Sequence, residues 1–155
     1  MYSHTPKDYK CPICLGVQGK ENENTMLKQS DLVYKDKLVS VFINSFFIKG
    51  NEGHLIIVSN KHYENLYDLE PKCGHRILEI SQKMAVAMKK TYRCDGITIR
   101  QNNEPASEQH AFHYHMHIFP RYKNDNFEKN LNHKKISTYK QRLVFVNKIK
   151  RVLYK

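Results

Sequence analysis

Three histidines at alternating positions, His113, His115 and His117, are the residues of this sequence best suited to chemistry. Successive side chains of an extended strand point to opposite faces, so the three imidazoles would share one face of a strand. An imidazole titrates near neutral pH, acts as a nucleophile and binds zinc. A half-buried strand that is merely polar accounts for one such histidine but not for three, and we therefore predict a functional site on this face. The opposite face would be apolar, with Phe112, Tyr114, Met116 and Ile118.

A second candidate site is the Cys-Pro-Ile-Cys segment that runs from Cys11 to Cys14. It suits zinc if the fold brings two further ligands to it, because zinc commonly takes four ligands in a tetrahedron. A thioredoxin-like redox pair is the alternative, although that motif expects a preceding strand and here the pair precedes every predicted strand. Together with Cys73 and Cys94, this pair could in principle form two disulfides. The tight spacing of Cys11 and Cys14 instead favours a metal or a redox pair, and a reducing compartment is the simpler assumption.

Positive charge is concentrated near the C-terminus. The formal net charge is +11, and residues 121–155 carry eleven Lys and Arg against two acidic residues. Such a segment attracts polyanions, whether a nucleotide, RNA or an anionic surface. A solvated helix face that keeps the protein in solution is the simpler explanation. The charge alone names no partner, and nucleic-acid binding through residues 131–155 is open but not favoured.

The length of 155 residues fits one domain with a sizeable core, and we predict a single domain over residues 1–155. No stretch is apolar for long enough to span a bilayer, and the first ten residues are polar without a signal-peptide core. We therefore expect a cytoplasmic protein that does not engage a membrane.

The hydrophobic pattern predicts an α+β fold, with an antiparallel sheet of about five strands and two main helices. Short runs rich in β-branched and aromatic residues predict the strands, and apolar residues recur at helical spacing after Pro71. The run at 143–146 would also suit a strand, but we favour a helix there. The predicted elements are a polar arm at 1–30 that carries the cysteine pair, strands at 32–34, 38–43, 53–58, 96–100 and 113–121, a helix at 71–92 and a basic C-terminal helix within 131–155.

The segment from His113 to Phe119 matches the signature His-φ-His-φ-His-φ-φ, where φ is apolar, and in this the chain resembles the histidine triad (HIT) family. Pro120 and Arg121 extend the match. The resemblance is to zinc-binding bacterial members, and it implies a HIT-like fold for the single domain. Further residues fall in the order of the family along the chain, namely Asn44, His54, His62, Gly96, Asn102 and Gln109.

Members of the family are nucleotide-binding hydrolases and transferases, and they are commonly homodimers. The resemblance implies that His115 attacks the α-phosphorus of a dinucleoside polyphosphate or a nucleoside phosphoramidate and holds the nucleotide covalently until water removes it. His117 would contact the nucleotide and stabilise charge or protonate the departing group, as a protonated imidazole can. His54 would orient the cluster.

The resemblance also implies the residues that bind the nucleotide and a metal. Asn44 would meet the ribose, and Asn102 and Gln109 would contact phosphate. A structural zinc would pin the N-terminal arm to the histidine strand and fix the first histidine beside the nucleophile. By position, its ligands would be Cys11, Cys14, His62 and His113.

Two positions beside Gln109 depart from the pattern of the family. Glu108 replaces the usual glycine, and His110 replaces a serine or threonine. The carboxylate of Glu108 would lie near an anionic ligand unless it points away. His110 could donate a hydrogen bond in place of the hydroxyl, or it could lie on the surface.

Two other functional classes remain for comparison. A nucleotide- or RNA-binding protein with little catalytic activity is motivated by the basic C-terminal segment and the altered loop around Gln109. A zinc-ribbon module that binds nucleic acid would need a second closely spaced ligand pair, and Cys73 and Cys94 are too far apart in the sequence to supply one. If the protein is a hydrolase of the HIT family, Pro120 and Arg121 resemble the branch of the family that splits dinucleoside polyphosphates.

Overall fold

A five-stranded antiparallel sheet forms the centre of the protein. The computed structural model describes residues 2–23 and 25–154. The predicted α+β class, with about five antiparallel strands and two main helices, is confirmed. The strands of the sheet are β1 (Leu32–Lys35), β2 (Val39–Ile43), β4 (Leu55–Ser59), β5 (Gly96–Gln101) and β6 (His115–Arg121), in the spatial order β1-β2-β4-β6-β5, and β3 (Phe46–Phe47) pairs with β7 (Lys135–Ile136) in a separate small sheet.

Strands β2 and β4, two of the three interior strands, are buried along their whole length. Their apolar, β-branched sequences suit a strand that is covered on both faces. One face of the sheet packs against two long helices, and the other packs against the N-terminal segment. The helices are α1 (Pro12–Val17), α2 (Pro71–Tyr92), α3 (Phe127–Leu131) and α4 (Tyr139–Leu153).

Helix α2 has the bounds that the sequence predicts. Pro71 opens it, because a proline at the first helical position gives up only an amide that the helix would leave unpaired. Arg93 ends it in the left-handed conformation, with φ 54°, and the Lys89 ammonium donates to the carbonyl of Cys94 at 2.6 Å. The predicted apolar stripe is buried against the sheet, with Ile77, Ile80, Met84 and Met88.

Helix α4 packs beside α2 and carries the basic face. Thr138 caps it in a reciprocal pair with Gln141, and the helix continues through residues 143–146, so the helical interpretation of that run is confirmed. Arg142 is buried on the inner side and pairs with Asp31 at 2.7 Å. Within the described residues, no helix is both long and apolar enough to cross a membrane.

The structure corrects the prediction at both ends of the chain. Helix α1 lies in the segment predicted as a polar arm, where the Sγ atom of Cys11 accepts a hydrogen bond from the amide of Cys14 at 3.3 Å. Near the C-terminus, Ile136 was expected in the last helix, but it lies in β7 and is exposed. Helix α3 was not predicted. Elements of two to six residues are too short to show a hydrophobic period.

The histidine strand begins later than predicted. His113 lies in a bend before β6, so only His115 and His117 belong to the strand itself. Tyr114, Met116 and Ile118 pack in the core beneath α2 as expected. Strand β5 pairs with β6 across the loop at 102–114, as the antiparallel prediction required.

Candidate active site and metal centre

A cavity of about 320 Å³ lies over the histidine face of the sheet. It brings together five of the residues predicted for catalysis or nucleotide binding, although they come from four separate segments of the chain. These are Asn44, His54, Asn102, His115 and His117.

His115 is held in a single tautomer. Its Nδ1 donates to the carbonyl oxygen of His113 at 2.7 Å, and because that oxygen can only accept, Nδ1 must carry the proton. The lone pair of the ring is then on Nε2. Burial lowers the pKa of His115, so the ring is neutral near pH 7. A neutral imidazole with an available lone pair, at the wall of a cavity, has the form that a nucleophile needs.

His54 and His117 extend this cluster on the inner wall of the cavity. The ring centroids of His115 and His117 are 5.0 Å apart, and those of His54 and His117 are 5.5 Å apart. Both His54 and His117 stack on Phe119. Burial, and to a smaller extent the positive charge of Lys134, lowers the pKa of His54 to about 3. Burial, and to a smaller extent the neighbouring His115, lowers the pKa of His117 well below its ordinary value.

The Nδ1 atoms of His54 and His117 are buried without a hydrogen-bond partner among the described residues. A buried polar atom with no partner is uncommon in proteins, because its desolvation is not compensated. Such atoms at the wall of a cavity are consistent with a site that a polar ligand or ordered water completes.

Asn44 lies at the end of β2, where the cavity is apolar. Its side-chain Oδ1 accepts from the backbone amide of Phe46 at 2.8 Å, and its backbone amide donates to the carbonyl of His54 at 2.9 Å. These bonds fix the side chain beside Phe46 and Ile48, which line the same end. The arrangement suits an aromatic base with a sugar next to it.

Asn102 and Gln109 were both predicted to contact phosphate, but the structure separates them. Asn102 lines the cavity, where its Oδ1 accepts from Nε of Arg100 at 3.2 Å. Gln109 is buried behind the cavity wall. Its Nε2 donates to the carbonyl of Glu64 at 2.6 Å, and its Oε1 accepts from the amide of Glu104 at 2.6 Å. Gln109 therefore holds the loop together, and this position does not favour a contact with phosphate.

The cavity also contains side chains that the sequence did not single out. Arg100 and Lys134 are its two full cations, and Phe46 and Ile48 form its apolar end. Arg100 lies directly opposite His117 in the β5–β6 pair. Once that register was known, the alternation of side chains along β5 would have predicted that Arg100 faces the cavity. Glu108 and His110, which depart from the pattern of the HIT family, both line the cavity.

The four predicted metal ligands lie together next to this cavity. Their ligand atoms all lie within 4.8 Å of one another, although the chain separates the outermost two by more than 100 residues. The Cys11 sulfur lies 3.3 Å from Nδ1 of His113, and the Cys14 sulfur lies 3.3 Å from Nδ1 of His62 and 3.4 Å from Nδ1 of His113. A tetrahedral zinc site places a sulfur and a nitrogen ligand about 3.6 Å apart.

The hydrogen bonds around this cluster fit a zinc ion. Nε2 of His113 donates to the carbonyl of Ser59 at 2.8 Å, which leaves the lone pair of Nδ1 directed to the sulfur atoms. Burial lowers the pKa of His113 to about 4, and burial together with the adjacent Cys11 raises the pKa of the Cys14 thiol to about 12. A divalent cation would offset the repulsion between the two thiolates.

The family model for the HIT domain matches residues 26–124, and the chain belongs to the HIT family. Members of this family are nucleotide hydrolases and transferases. A curated relative, protein hit of Bacillus subtilis, is 32% identical over 96 residues, which cover 61% of this chain and 65% of the relative. The chain therefore spans just under two thirds of the length of that protein.

Solved structures carry the same fold. A HIT-like protein involved in cell-cycle regulation from Bartonella henselae has a TM-score of 0.77 at 26% identity, covering 94% of this chain and 98% of its own. A zinc-bound histidine triad family protein from Mycobacterium smegmatis has a TM-score of 0.73 at 21% identity, with 93% of each chain covered. Plasmodium falciparum diadenosine triphosphate hydrolase has a TM-score of 0.70 at 18% identity, covering 99% of this chain and 89% of its own. At these identities the last two likenesses concern the fold alone.

Proposed function

We propose that this protein is a nucleotidyl hydrolase that cleaves dinucleoside polyphosphates or nucleoside phosphoramidates at the α-phosphate through a covalent nucleotidyl-histidine. The observation that carries the proposal is the state of His115, a neutral imidazole with its proton fixed on Nδ1 at the wall of a cavity. Membership of the HIT family, whose members are nucleotide hydrolases and transferases, supports the same chemistry.

The first step uses the Nε2 lone pair of His115. It forms a bond to the α-phosphorus while the bond from phosphorus to the departing group breaks, and the departing group leaves with that electron pair. The imidazole becomes cationic as it bonds, and its Nδ1–H···O=C bond to His113 becomes charge-assisted and stronger. A water molecule then attacks phosphorus and loses a proton to solvent, while the bond from phosphorus to Nε2 breaks, returns its electron pair to Nε2 and releases a nucleoside monophosphate.

His117 is the group best placed to handle the proton of the departing group. It is the nearest imidazole to His115, and it is neutral in the free protein because it is buried. A bound phosphate would favour its protonated form, since an adjacent anion raises the pKa of a histidine. His54 supports it from behind, packed with it on Phe119.

The nucleoside would occupy the apolar end of the cavity. Phe46 and Ile48 offer faces for a base, and the amide of Asn44 lies within the same end for the ribose. Asn102 remains the proposed phosphate contact. For Gln109 we propose that it positions the loop around Asn102, because its side chain is committed to backbone partners.

We further propose that Cys11, Cys14, His62 and His113 hold one structural zinc ion. The ion would cross-link α1 to the start of the histidine strand. The carbonyl of His113, which fixes the tautomer of His115, would be held in place with it. The zinc-bound relative from Mycobacterium smegmatis supports this assignment.

A homodimer is also proposed, as is common in the family. In the part of the chain that the structure describes, β5 has a strand partner on one side only, and Ile99 on it is 48% exposed. An open strand edge with an exposed apolar residue readily accepts another chain. Sedimentation at micromolar concentration should give about twice the chain mass of 18.4 kDa, and a single-chain mass would refute the dimer.

The function is tested by incubation with diadenosine tetraphosphate and with adenosine 5′-phosphoramidate. We expect turnover of at least one of them, and mass spectrometry of protein denatured at alkaline pH, where a bond between phosphorus and imidazole survives, should find the added nucleotide on His115. His115→Ala should remove both signals. Turnover that survives this substitution would refute the mechanism.

A nucleotide-binding protein with little activity is the second candidate, favoured by the carboxylate of Glu108 beside the phosphate site. Tight nucleotide binding without turnover of either substrate would select it over the hydrolase.

A further inference from the structure

Arg100 and Glu108 form an ion pair at the wall of the cavity. Nη2 of Arg100 donates to Oε2 of Glu108 at 2.8 Å, and Nε of Arg100 donates to Oδ1 of Asn102 at 3.2 Å. Both partners line the cavity. These two bonds hold the guanidinium from two sides, and its Nη1 has no hydrogen bond to any described residue. The Arg100 guanidinium is therefore held in a fixed orientation before a ligand binds, and Nη1 is available to donate to that ligand.

The register of the sheet sets Arg100 beside the histidine row. Arg100 is directly opposite His117 in the antiparallel β5–β6 pair. Residues directly opposite each other in an antiparallel pair have their side chains on the same face. The positive charge of Arg100 therefore lies next to the imidazoles, on the edge strand β5.

The two ends of the cavity differ in chemistry. Asn44, Phe46 and Ile48 lie towards β2, whereas Arg100 and Asn102 belong to β5 and the residues after it. Three strand spacings of about 4.8 Å separate β2 from β5 in the order β2-β4-β6-β5, or about 14 Å in all. A base at the apolar end would place its α-phosphate over His115 on β6, and any further phosphates would then reach β5.

We infer that Arg100 binds the phosphate group adjacent to the one attacked, and that the substrates are nucleosides with an anionic polyphosphate leaving group and not phosphoramidates with an amine. The inference rests on the proposed function for its chemistry. A guanidinium suits this role because it offers parallel N–H donors to phosphate oxygens.

Glu108 orients Arg100 while the site is empty. Its side chain is 61% exposed, so the pair is solvated and weak. An incoming polyphosphate chain carries several negative charges, whereas Glu108 carries one, and the chain competes for the same guanidinium. Glu108 therefore costs affinity, and Glu108→Gln should bind polyphosphate nucleotides more tightly than the wild type does.

Lys134 is the competing cation, and its position argues against the same role. Its ammonium lies 5.6 Å from the centroid of the Phe46 ring, at the apolar end of the cavity. It would meet the base or sugar of a nucleotide bound in the proposed direction. Lys134→Ala is therefore the control variant: it removes a positive charge from the apolar end of the cavity and should leave the dependence of affinity on phosphate chain length unchanged.

The test measures the affinity of the intact protein for AMP and for the α,β-methylene analogues of ADP and ATP, which cannot be cleaved at that bond. The wild type should bind the ATP analogue about tenfold or more tightly than AMP, as a charge-assisted contact provides. Arg100→Ala should abolish this dependence on chain length, and Arg100→Lys should keep part of it. Arg151→Ala removes the same charge from the exposed face of α4 and should keep all of it.

The inference would be overturned if Arg100→Ala lost the same factor in affinity for AMP and for the ATP analogue. It would also be overturned if Lys134→Ala lost the dependence of affinity on phosphate chain length. Kinetics give a second readout, because kcat/KM of the wild type should be at least tenfold higher for diadenosine tetraphosphate than for the phosphoramidate, and Arg100→Ala should remove that preference. A protein that turns over neither substrate refutes the hydrolase. The binding experiment still decides the role of Arg100 in that case.

Discussion

Replacement of Arg142 by methionine should destabilise the protein severely. Nε of Arg142 donates to Oδ1 of Asp31 at 2.7 Å, and Nη1 donates to the carbonyl of Ser137 at 2.5 Å. The pair is buried, with 8% of the Arg142 side chain and 1% of the Asp31 side chain exposed. It joins α4 to the start of β1, and through Ser137 it reaches the small sheet beside the cavity.

The magnitude follows from what remains after the substitution. Methionine fills a similar volume, so the cost is electrostatic and not that of a cavity. Asp31 would keep one hydrogen bond, from the amide of Lys28 at 3.0 Å, and would otherwise be an unpaired buried carboxylate. Removing one partner of a buried pair costs about 3–5 kcal/mol, which is a large part of the 5–15 kcal/mol that typically stabilises a domain.

Urea unfolding at fixed zinc concentration measures this cost. Arg142→Met should lower the free energy of unfolding by about 3–5 kcal/mol, whereas Lys140→Met on the exposed face of the same helix should change it by less than about 0.5 kcal/mol. The double variant Asp31→Asn with Arg142→Met should be more stable than Arg142→Met alone, because the unpaired charge is gone. Equal losses in Arg142→Met and Lys140→Met, or a double variant as unstable as the sum of the singles, would refute the reasoning.

Three further predictions concern the backbone, the metal and the pH dependence. Gly53→Ala should lose about 2–4 kcal/mol in urea unfolding, because Gly53 has φ 76° and an added Cβ would lie 2.1 Å from the Phe145 ring; a smaller effect than that of Gly74→Ala would contradict this. Removing metal with a chelator should lower the thermal midpoint by more than about 5 °C, and zinc should restore it; an unchanged midpoint in metal-free protein would argue against a structural ion. The pKa of His54 is lowered to about 3, so the unfolded state binds the extra proton below about pH 6.5, and about 2 kcal/mol of stability should be lost between about pH 7.5 and pH 5; His54→Phe should reduce that loss, and an identical pH profile would refute it.

Long elements were predictable from the sequence because their periodicity is sampled many times. Helix α2 has 22 residues, so its apolar stripe repeats over six turns. Strands β3 and β7 have two residues each, and nothing local distinguishes them from a loop. They form because Ser137 donates its amide to the carbonyl of Ser45 at 2.9 Å, which aligns two distant segments.

The candidate site was predictable where its residues have few alternative uses. Two cysteines at CxxC spacing and a row of histidines are rarely combined without a function, and the resemblance to the HIT family supplied His62 as the remaining residue of the proposed zinc site, where the structure brings it beside the other three. Gln109 shows the limit of such transfer. An amide side chain serves equally well to bind a ligand or to satisfy loop backbone, and only the three-dimensional contacts of Gln109 separate these uses.

The departure from the family pattern at Glu108 becomes intelligible only together with Arg100. Glu108 adopts a left-handed backbone with φ 68°, a conformation that favours the glycine usual at this position, so the side chain is kept at some conformational cost. Judged from the sequence, its carboxylate would repel an anionic ligand. In the structure that charge is paired with the guanidinium of Arg100 on β5, eight residues earlier in the chain. If the pair acts as one unit, a variant that lacks both charges should bind a polyphosphate nucleotide better than Arg100→Ala, because Arg100→Ala leaves the carboxylate uncompensated. Equal affinities would mean that Glu108 does not face the ligand.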